Sequence, residues 1–193
     1  MKKATPNRKE ATHERIVTAA ARAIRRSGYG GTGVADIMKE AGLTHGGFYA
    51  HFESRDAMLA EAVDLAGADS VALSEQLAAG VPQEQALPAM LRAYLSKAHV
   101  ESIETGCATA ALCSETPRQA PEVRRAATRR IKEMIDLIAR QSADWGQPSA
   151  HERALVTMAT MVGALVLARA VDDAKLSDAL REAALNHLIP TEL

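Results

Sequence analysis

Apolar residues recur at intervals of three and four along most of the chain, and the runs are separated by Gly, Pro or Ser. That pattern predicts a succession of amphipathic α-helices. From Glu10 to Ser27, the residues Ile16, Ala19, Ala20, Ala23 and Ile24 keep helical spacing, and Gly28 supplies the stop. Thr32 to Phe52 then reads as two short helices around a glycine turn. Val34, Ile37, Met38 and Ala41 share one face of the first, with Asp36 in its first turn, where a carboxylate favours exposed N–H groups. Gly42 ends it, because glycine accepts a left-handed backbone. Leu43 packs back, Thr44 is placed to cap the second helix, and Phe48 and Phe52 form its inner face. His45, Tyr49 and His51 are left to point elsewhere. This is the grammar of a helix-turn-helix DNA reader.

Ser54 is the expected N-cap of a long helix running through Met58, Leu59, Ala62, Val63 and Leu65 toward Leu77. Gly80, Val81 and Pro82 break the chain before a helix carrying Leu87, Met90, Leu91, Tyr94 and Leu95, in which Pro88 calls for a first-turn position or a kink. A short segment from Cys107 to Glu115 follows Gly106, and a long helix spans Glu122 to Ser142 with Ile131, Met134, Ile135 and Ile138 inward. Trp145 is expected to plug the end of that helix against the body. His151 to Val171 is apolar on most faces, so it needs cover on more than one side, either as a central core helix or against its symmetry mate in a homodimer. Lys175 to Leu188 is amphipathic through Leu176, Ala179, Leu180, Ala183, Ala184 and Leu188, and Pro190 stops it.

Composition narrows the class. Ala and Leu dominate the 193 residues, aromatics are only 3%, and the expected fold is all-α with about nine helices. No apolar run approaches the ~20 residues that span a bilayer, and the N-terminus is too polar for a secretory signal, so a cytoplasmic protein without membrane contact is expected. A net charge of -1 hides an asymmetry, with ten Lys/Arg against six Asp/Glu in residues 1–60 and thirteen against eighteen in the remainder. A basic head on an acidic body suits a polyanion at one end, and the opening stretch with Lys2, Lys3, Arg8 and Lys9 reads as a basic arm.

Residues 10–62 strongly resemble the TetR/AcrR family of bacterial transcription regulators. The resemblance rests on Gly28-Tyr29, Thr32, Ala35-Asp36-Ile37, Ala41-Gly42-Leu43, Phe48-Tyr49, His51-Phe52, Ser54-Arg55 and Leu59 at fixed spacing. It implies a three-helix DNA-binding domain in residues 1–53 and a helical effector-binding and dimerisation domain in residues 54–193. It further implies that Thr44 to Tyr49 is the recognition helix in the major groove of an operator duplex. By the same resemblance Tyr49 touches backbone phosphate, Thr32 sits at a second phosphate and Arg55 lies near both. Many relatives carry Ser or Thr where this chain has Gly33, so the cap and phosphate contact there are either weaker or made by backbone amide. Hydroxyls on Thr32, Thr44 and Tyr49, with Arg55 and His51 nearby, suit phosphate contacts that fix register without reading sequence. Base readout then falls to Thr44 and His45, with Gly46 and Gly47 letting the backbone approach.

In the second half, the expected ligand pocket is lined by Leu91, Tyr94, Leu95, Cys107, Ala111, Met134, Leu137, Met158 and Met161, and it receives a small, largely apolar effector. Methionine at helical spacing also serves as ordinary core. His99 beside Glu101 and Glu104 reads either as a group that orients a polar part of the ligand or, more in keeping with its neighbours, as a solvated face, and Arg124, Arg125, Arg129 and Arg130 read as surface charge. Cys107 and Cys113, six residues apart, lie about 240° apart around an ideal helix, which disfavours a bridge between them. They read as two small buried residues, or Cys107, next to Gly106, as a thiol sensor of electrophiles or oxidants. No metal-ligand spacing, phosphate loop or nucleophile elbow is present, so no cofactor, metal or catalytic residue is expected. The reading is a homodimeric repressor, joined through residues 151–188 and released by its effector. The rivals are a ligand-free architectural DNA-binding protein, and a helical enzyme or interaction module that binds no DNA.

Overall fold

The computed structural model describes residues 8–142 and 144–189. The arm before Arg8 and the stop at Pro190 lie outside those residues. The fold is all-helical: α1 (Arg8–Ser27), α2 (Val34–Glu40), a 3-10 helix (His45–Ala50), α3 (Arg55–Ala79), α4 (Gln83–Tyr94), α5 (Lys97–Glu101), α6 (Ala108–Leu112), a 3-10 turn (Thr116–Arg118), α7 (Pro121–Arg140), α8 (Pro148–Ala170) and α9 (Ala174–Leu188).

Local chemistry sets the head. Gly28 and Gly42 hold φ of 73° and 70°, the left-handed region that side chains avoid. At Gly42 the Leu43 amide donates to the Met38 carbonyl at 2.8 Å and the Gly42 amide to that of Lys39 at 2.9 Å, which closes α2. Ser54 accepts the Ala57 amide at 3.0 Å and so caps α3 as expected. The second helix of the reader is tighter than expected, a 3-10 helix rather than an α-helix. Gly46 and Gly47 weaken α-helix by about 1 kcal/mol each, and in six residues little else restores it.

One core runs from the head into the body. It contains Ile16, Ala20 and Ile24 of α1, Ile37 and Met38 of α2, Phe48 and Phe52, and Met58, Leu59 and Ala62 of α3, and it continues into Ala108, Leu112, Val123 and Ala126. Packing around the head therefore does not stop at residue 53. A second core joins Met90 and Leu91 of α4 to Met134, Leu137 and Ile138 of α7 and Met158 and Met161 of α8. α4 continues through Pro88, which stands in its second turn.

Three expectations for the body change. Trp145 is 54% exposed and plugs nothing. Arg129 and Arg130 are not loose surface charge: both reach Asp64 of α3, at 2.5 and 2.6 Å, and Arg130 also reaches Glu133 at 2.7 Å. They brace α7 against α3. Finally, α8 is 23 residues long and contains an 18-residue window with a mean hydropathy of 1.4, enough by length and composition alone to cross a membrane, where the sequence reading expected no such helix. Its apolar character is divided between two jobs: Ala154, Met158, Met161 and Leu165 are buried in the bundle, while Leu155, Val156, Val166 and Leu167 are exposed.

Candidate nucleic-acid interface and effector cavity

The recognition segment presents a polar outer side on a locked aromatic base. Phe48 and Phe52 are buried with ring centroids 5.5 Å apart, and His13 of α1 stacks on Phe52 at 4.4 Å while bonding Glu61 of α3 at 2.6 Å. On the outside, Thr44, His45 and Gly46 are exposed, Gly47 is half-buried, and Tyr49 is 74% exposed. Thr44 stands at the N-cap, yet its hydroxyl makes no capping bond. It is thereby available to a duplex, contrary to the capping role expected.

Three other predicted contact residues face inward. Thr32 is 5% exposed, and its hydroxyl donates to the carbonyls of Gly28 at 2.9 Å and Ala23 at 3.3 Å, so it closes the end of α1 instead of offering a donor to phosphate. Arg55 donates to the carbonyls of Tyr29 and Thr32, the latter at 3.1 Å, which ties the start of α3 to the α1–α2 turn. His51 is half-buried with Nδ1 unpaired, and burial, then the nearby His13, push its pKa down. Thr32 and Arg55 thus hold the turn that leads into the reader, whereas His51 makes no such tie among the described residues. Gly33 is the exposed N-cap of α2 and makes no side-chain cap, which leaves the role expected of its amide open.

The basic surplus is also partly committed. Arg15 donates to the Ala41 carbonyl, Arg26 pairs with Glu40 at 3.0 Å and Glu104 at 3.1 Å, and Arg25 is buried. Cation counting therefore overstated the charge that faces a partner.

A segment of the body clasps the head from behind. Tyr29 is buried, its amide donates to Glu115 at 2.9 Å, and its hydroxyl lies 3.5 Å from that of Thr116. Arg26 and Arg25 of α1 reach Glu104 and the Gly106 carbonyl of the same segment. No sequence motif marked this contact, because its partners lie about eighty residues apart.

The other side of that segment borders a cavity of about 350 Å³ between α3, α4, α5 and α7. Of the nine expected lining residues, Tyr94, Cys107 and Met134 are on its wall. Leu91, Leu95 and Leu137 are core, Ala111 packs against the head core, and Met158 and Met161 border only a smaller void behind Tyr94. They do not border this cavity because helical spacing identifies an inward face without saying which inward residues meet a gap. α3 supplies what was missed: Asp69, Ser70, Leu73, Ser74 and Leu77. The i, i+4 serines interleaved with leucines were the available signal.

The polar groups at the inner end are unusually arranged. His99 is half-buried: its Nδ1 is 2.6 Å from the Tyr94 carbonyl and its Nε2 3.1 Å from the Cys107 amide. Only a neutral ring with hydrogen on Nδ1 satisfies both, and burial lowers its pKa in the same sense. Tyr94 Oη is buried beside the Cys107 sulfur and makes no hydrogen bond of good geometry to it or to any other described atom, and burial, then that sulfur, push the phenol well up, so it remains a proton donor. Cys107 is buried and Cys113 exposed, both free, which corrects the reading of two buried residues.

Comparison with known proteins agrees with this architecture. Residues 16–62 match the model described as bacterial regulatory proteins, tetR family, and residues 84–184 match the transcriptional regulator LmrA/YxaF-like C-terminal domain. An uncharacterized HTH-type transcriptional regulator of Mycobacterium tuberculosis is 32% identical over 165 residues, spanning 81% of this chain and 83% of its own. A TetR transcriptional regulator from Chloroflexus aurantiacus superposes with a TM-score of 0.77 at 29% identity over 93% of each chain. A TetR-family regulator from Cytophaga hutchinsonii superposes with a TM-score of 0.82 at 17% identity, covering 98% and 99% of the two chains, which speaks to fold alone.

Proposed function

The chain belongs to the TetR family of transcriptional regulators, and on that premise we propose that it is a ligand-responsive repressor that binds a near-palindromic operator as a homodimer. The observation that carries this reading is the recognition segment: Thr44, His45 and Tyr49 exposed above the locked Phe48–Phe52 pair. Residues 1–53 serve as the reader, residues 54–193 as the effector and dimer unit, and the protein works in the cytoplasm. The exposed apolar residues of α8, with Leu176 of α9, form the surface that a second copy covers. Two heads then meet half-sites one DNA turn apart, roughly 34–36 Å, or a multiple of it.

The effector enters the cavity bordered by Tyr94, Met134 and Cys107. Its mostly apolar wall and the unpaired Tyr94 hydroxyl favour a small apolar molecule with one hydrogen-bond acceptor. Release requires that it bind the DNA-incompetent state more tightly. Duplexes selected from a random pool, followed by binding at several salt concentrations, test the reading. Tyr49→Phe is expected to weaken all duplexes alike by a few-fold. His45→Ala is expected to relax sequence choice, at about 1–3 kcal/mol of discrimination. The reverse division would overturn these roles.

One observation favours a second reading, in which Cys107 itself takes the signal: the thiol borders the cavity beside the unpaired phenol. An enone or quinone would form a bond from Cys107 Sγ to its β-carbon as the conjugated C=C π bond opens and its electrons shift toward the carbonyl, whose oxygen takes the thiol proton to give the enol or hydroquinone. Unchanged operator release by such electrophiles in Cys107→Ser would end that reading.

A further inference from the structure

Arg25 is anomalous. It belongs to α1 of the head, yet it is only 6% exposed, and among the described residues its Nε has no partner and its one hydrogen bond is a long 3.4 Å contact from Nη1 to the Gly106 carbonyl. A buried guanidinium ordinarily satisfies several donors at once, because desolvation is repaid only by good hydrogen bonds. Burial is the largest influence on Arg25 and lowers its pKa, Arg22 acts in the same sense, and Asp69, Cys107 and Glu104 act against them.

Gly106 is equally constrained from the other side. A Cβ on it would collide with the Ser102 carbonyl oxygen and would come within 2.7 Å of Arg169 Nη2 and 2.9 Å of His99 Nε2. Arg169 of α8 holds the same loop through the carbonyls of His99 at 2.7 Å, Val100 at 3.2 Å and Ser102 at 3.4 Å. Gly106 and Cys107 border the cavity, and the Cys107 amide is fixed by His99. One residue thus joins the cavity wall, the α8 helix and the head.

Resting on the effector reading above, we propose that Arg25 is the positioning residue that couples the cavity to the DNA reader through the Gly106 carbonyl. An effector that shifts the Gly106–Cys107 backbone removes the single acceptor of a buried, under-bonded guanidinium. That charge then seeks new partners and carries the C-terminal half of α1 with it. Because Thr32 ties the α1–α2 turn to the Gly28 carbonyl, and Arg55 ties the start of α3 to the Tyr29 and Thr32 carbonyls, the movement reaches the turn that leads into α2 and the start of α3, the two elements that flank the recognition segment in the chain. An apolar side chain of similar length at position 25 would fill the same space without responding to the loop.

A double-mutant cycle tests this without an effector. Operator affinity of the full-length protein is measured by fluorescence anisotropy on a duplex selected from a random pool, with an unrelated duplex as control. Gly106→Ala, which must displace the loop, is expected to weaken operator binding about tenfold in the natural background and less than twofold alongside Arg25→Met. Arg25→Met alone is expected to bind operator nearly normally and to melt no lower than the natural chain. An equal loss from Gly106→Ala in both backgrounds would overturn the proposal, since a merely structural role gives additive effects. Where Gly106→Ala fails to fold, Arg169→Met loosens the same loop from the α8 side, and the same cycle applies. If the natural protein shows no sequence preference at all, the operator reading fails instead, so the two failures are distinguishable.

Discussion

Head and body of this protein solve opposite packing problems. The head concentrates its aromatic residues: Phe48, Phe52 and Tyr29 are buried around α1 and α2, and the side chains left outside, at Thr44, His45 and Tyr49, are polar or amphipathic. The body has few aromatics and packs Ala, Leu and Met, leaving a cavity beside α3 and an apolar stripe on α8. A closed core gives a rigid surface that can read a fixed polymer. An incompletely filled bundle with an uncovered face suits binding that changes, to a small molecule within and to a second copy outside.

The strongest way to break this contrast is to open the head core. Phe48→Ala is expected to cost about 3–5 kcal/mol and to abolish operator binding. Under the account, sedimentation should still find a helical dimer, because the second core and the α8 face are untouched. Collapse of the body as well, seen as a single melting transition with loss of the dimer, would show that the shared core makes the two regions inseparable. Next in size, Leu167→Glu places a charge on a residue that is 52% exposed in the single chain. It should leave the helical fold intact and weaken dimerisation about a hundredfold, on the order of 3 kcal/mol, in analytical ultracentrifugation. An unchanged dimer would place the interface elsewhere.

How much of this was legible in the sequence differs between the regions for a physical reason. The head is built from local signals: Gly42 at the turn, Ser54 at the cap of α3, and Phe48 and Phe52 one turn apart, all of which act within a few residues. The body's decisive contacts are non-local. His99 looked solvated beside Glu101 and Glu104, yet it is held by Cys107 and by Arg169, whose bond to the His99 carbonyl spans seventy residues. Even in the head, the inward turn of Thr32 and Arg55 followed from which carbonyls needed donors, and spacing does not reveal that. Methionine and leucine periodicity identified the inner faces of α4, α7 and α8 but not the gap among them, which depends on how α3 crosses the bundle.

A smaller effect sharpens how the two regions are joined. Burial pushes Asp64 of α3 up, but hydrogen bonds from Arg130 and Arg129 of α7 outweigh it and hold the carboxyl below the usual carboxylate range. Since the folded pKa is depressed, this stabilisation is present above the ordinary carboxylate pKa and is lost as pH falls through the folded value. Asp64→Asn should therefore lower stability by about 1 kcal/mol near neutral pH, and the gap from the natural chain should close in acid. A gap independent of pH would assign the loss to packing. Smallest of all, Trp145→Phe should change stability by less than about 0.5 kcal/mol, because the indole is more than half exposed.

The most direct test of the central claim is selection of duplexes from a random pool by the full-length protein, followed by quantitative binding of the selected and unrelated sequences at one salt concentration. The expected result is a near-palindromic site with half-sites about one DNA turn apart or a multiple of it, occupied by a dimer and bound roughly a thousandfold or more tightly than unrelated duplex. Equal affinity for selected and unrelated duplexes, or binding as a monomer to a single half-site, would contradict it.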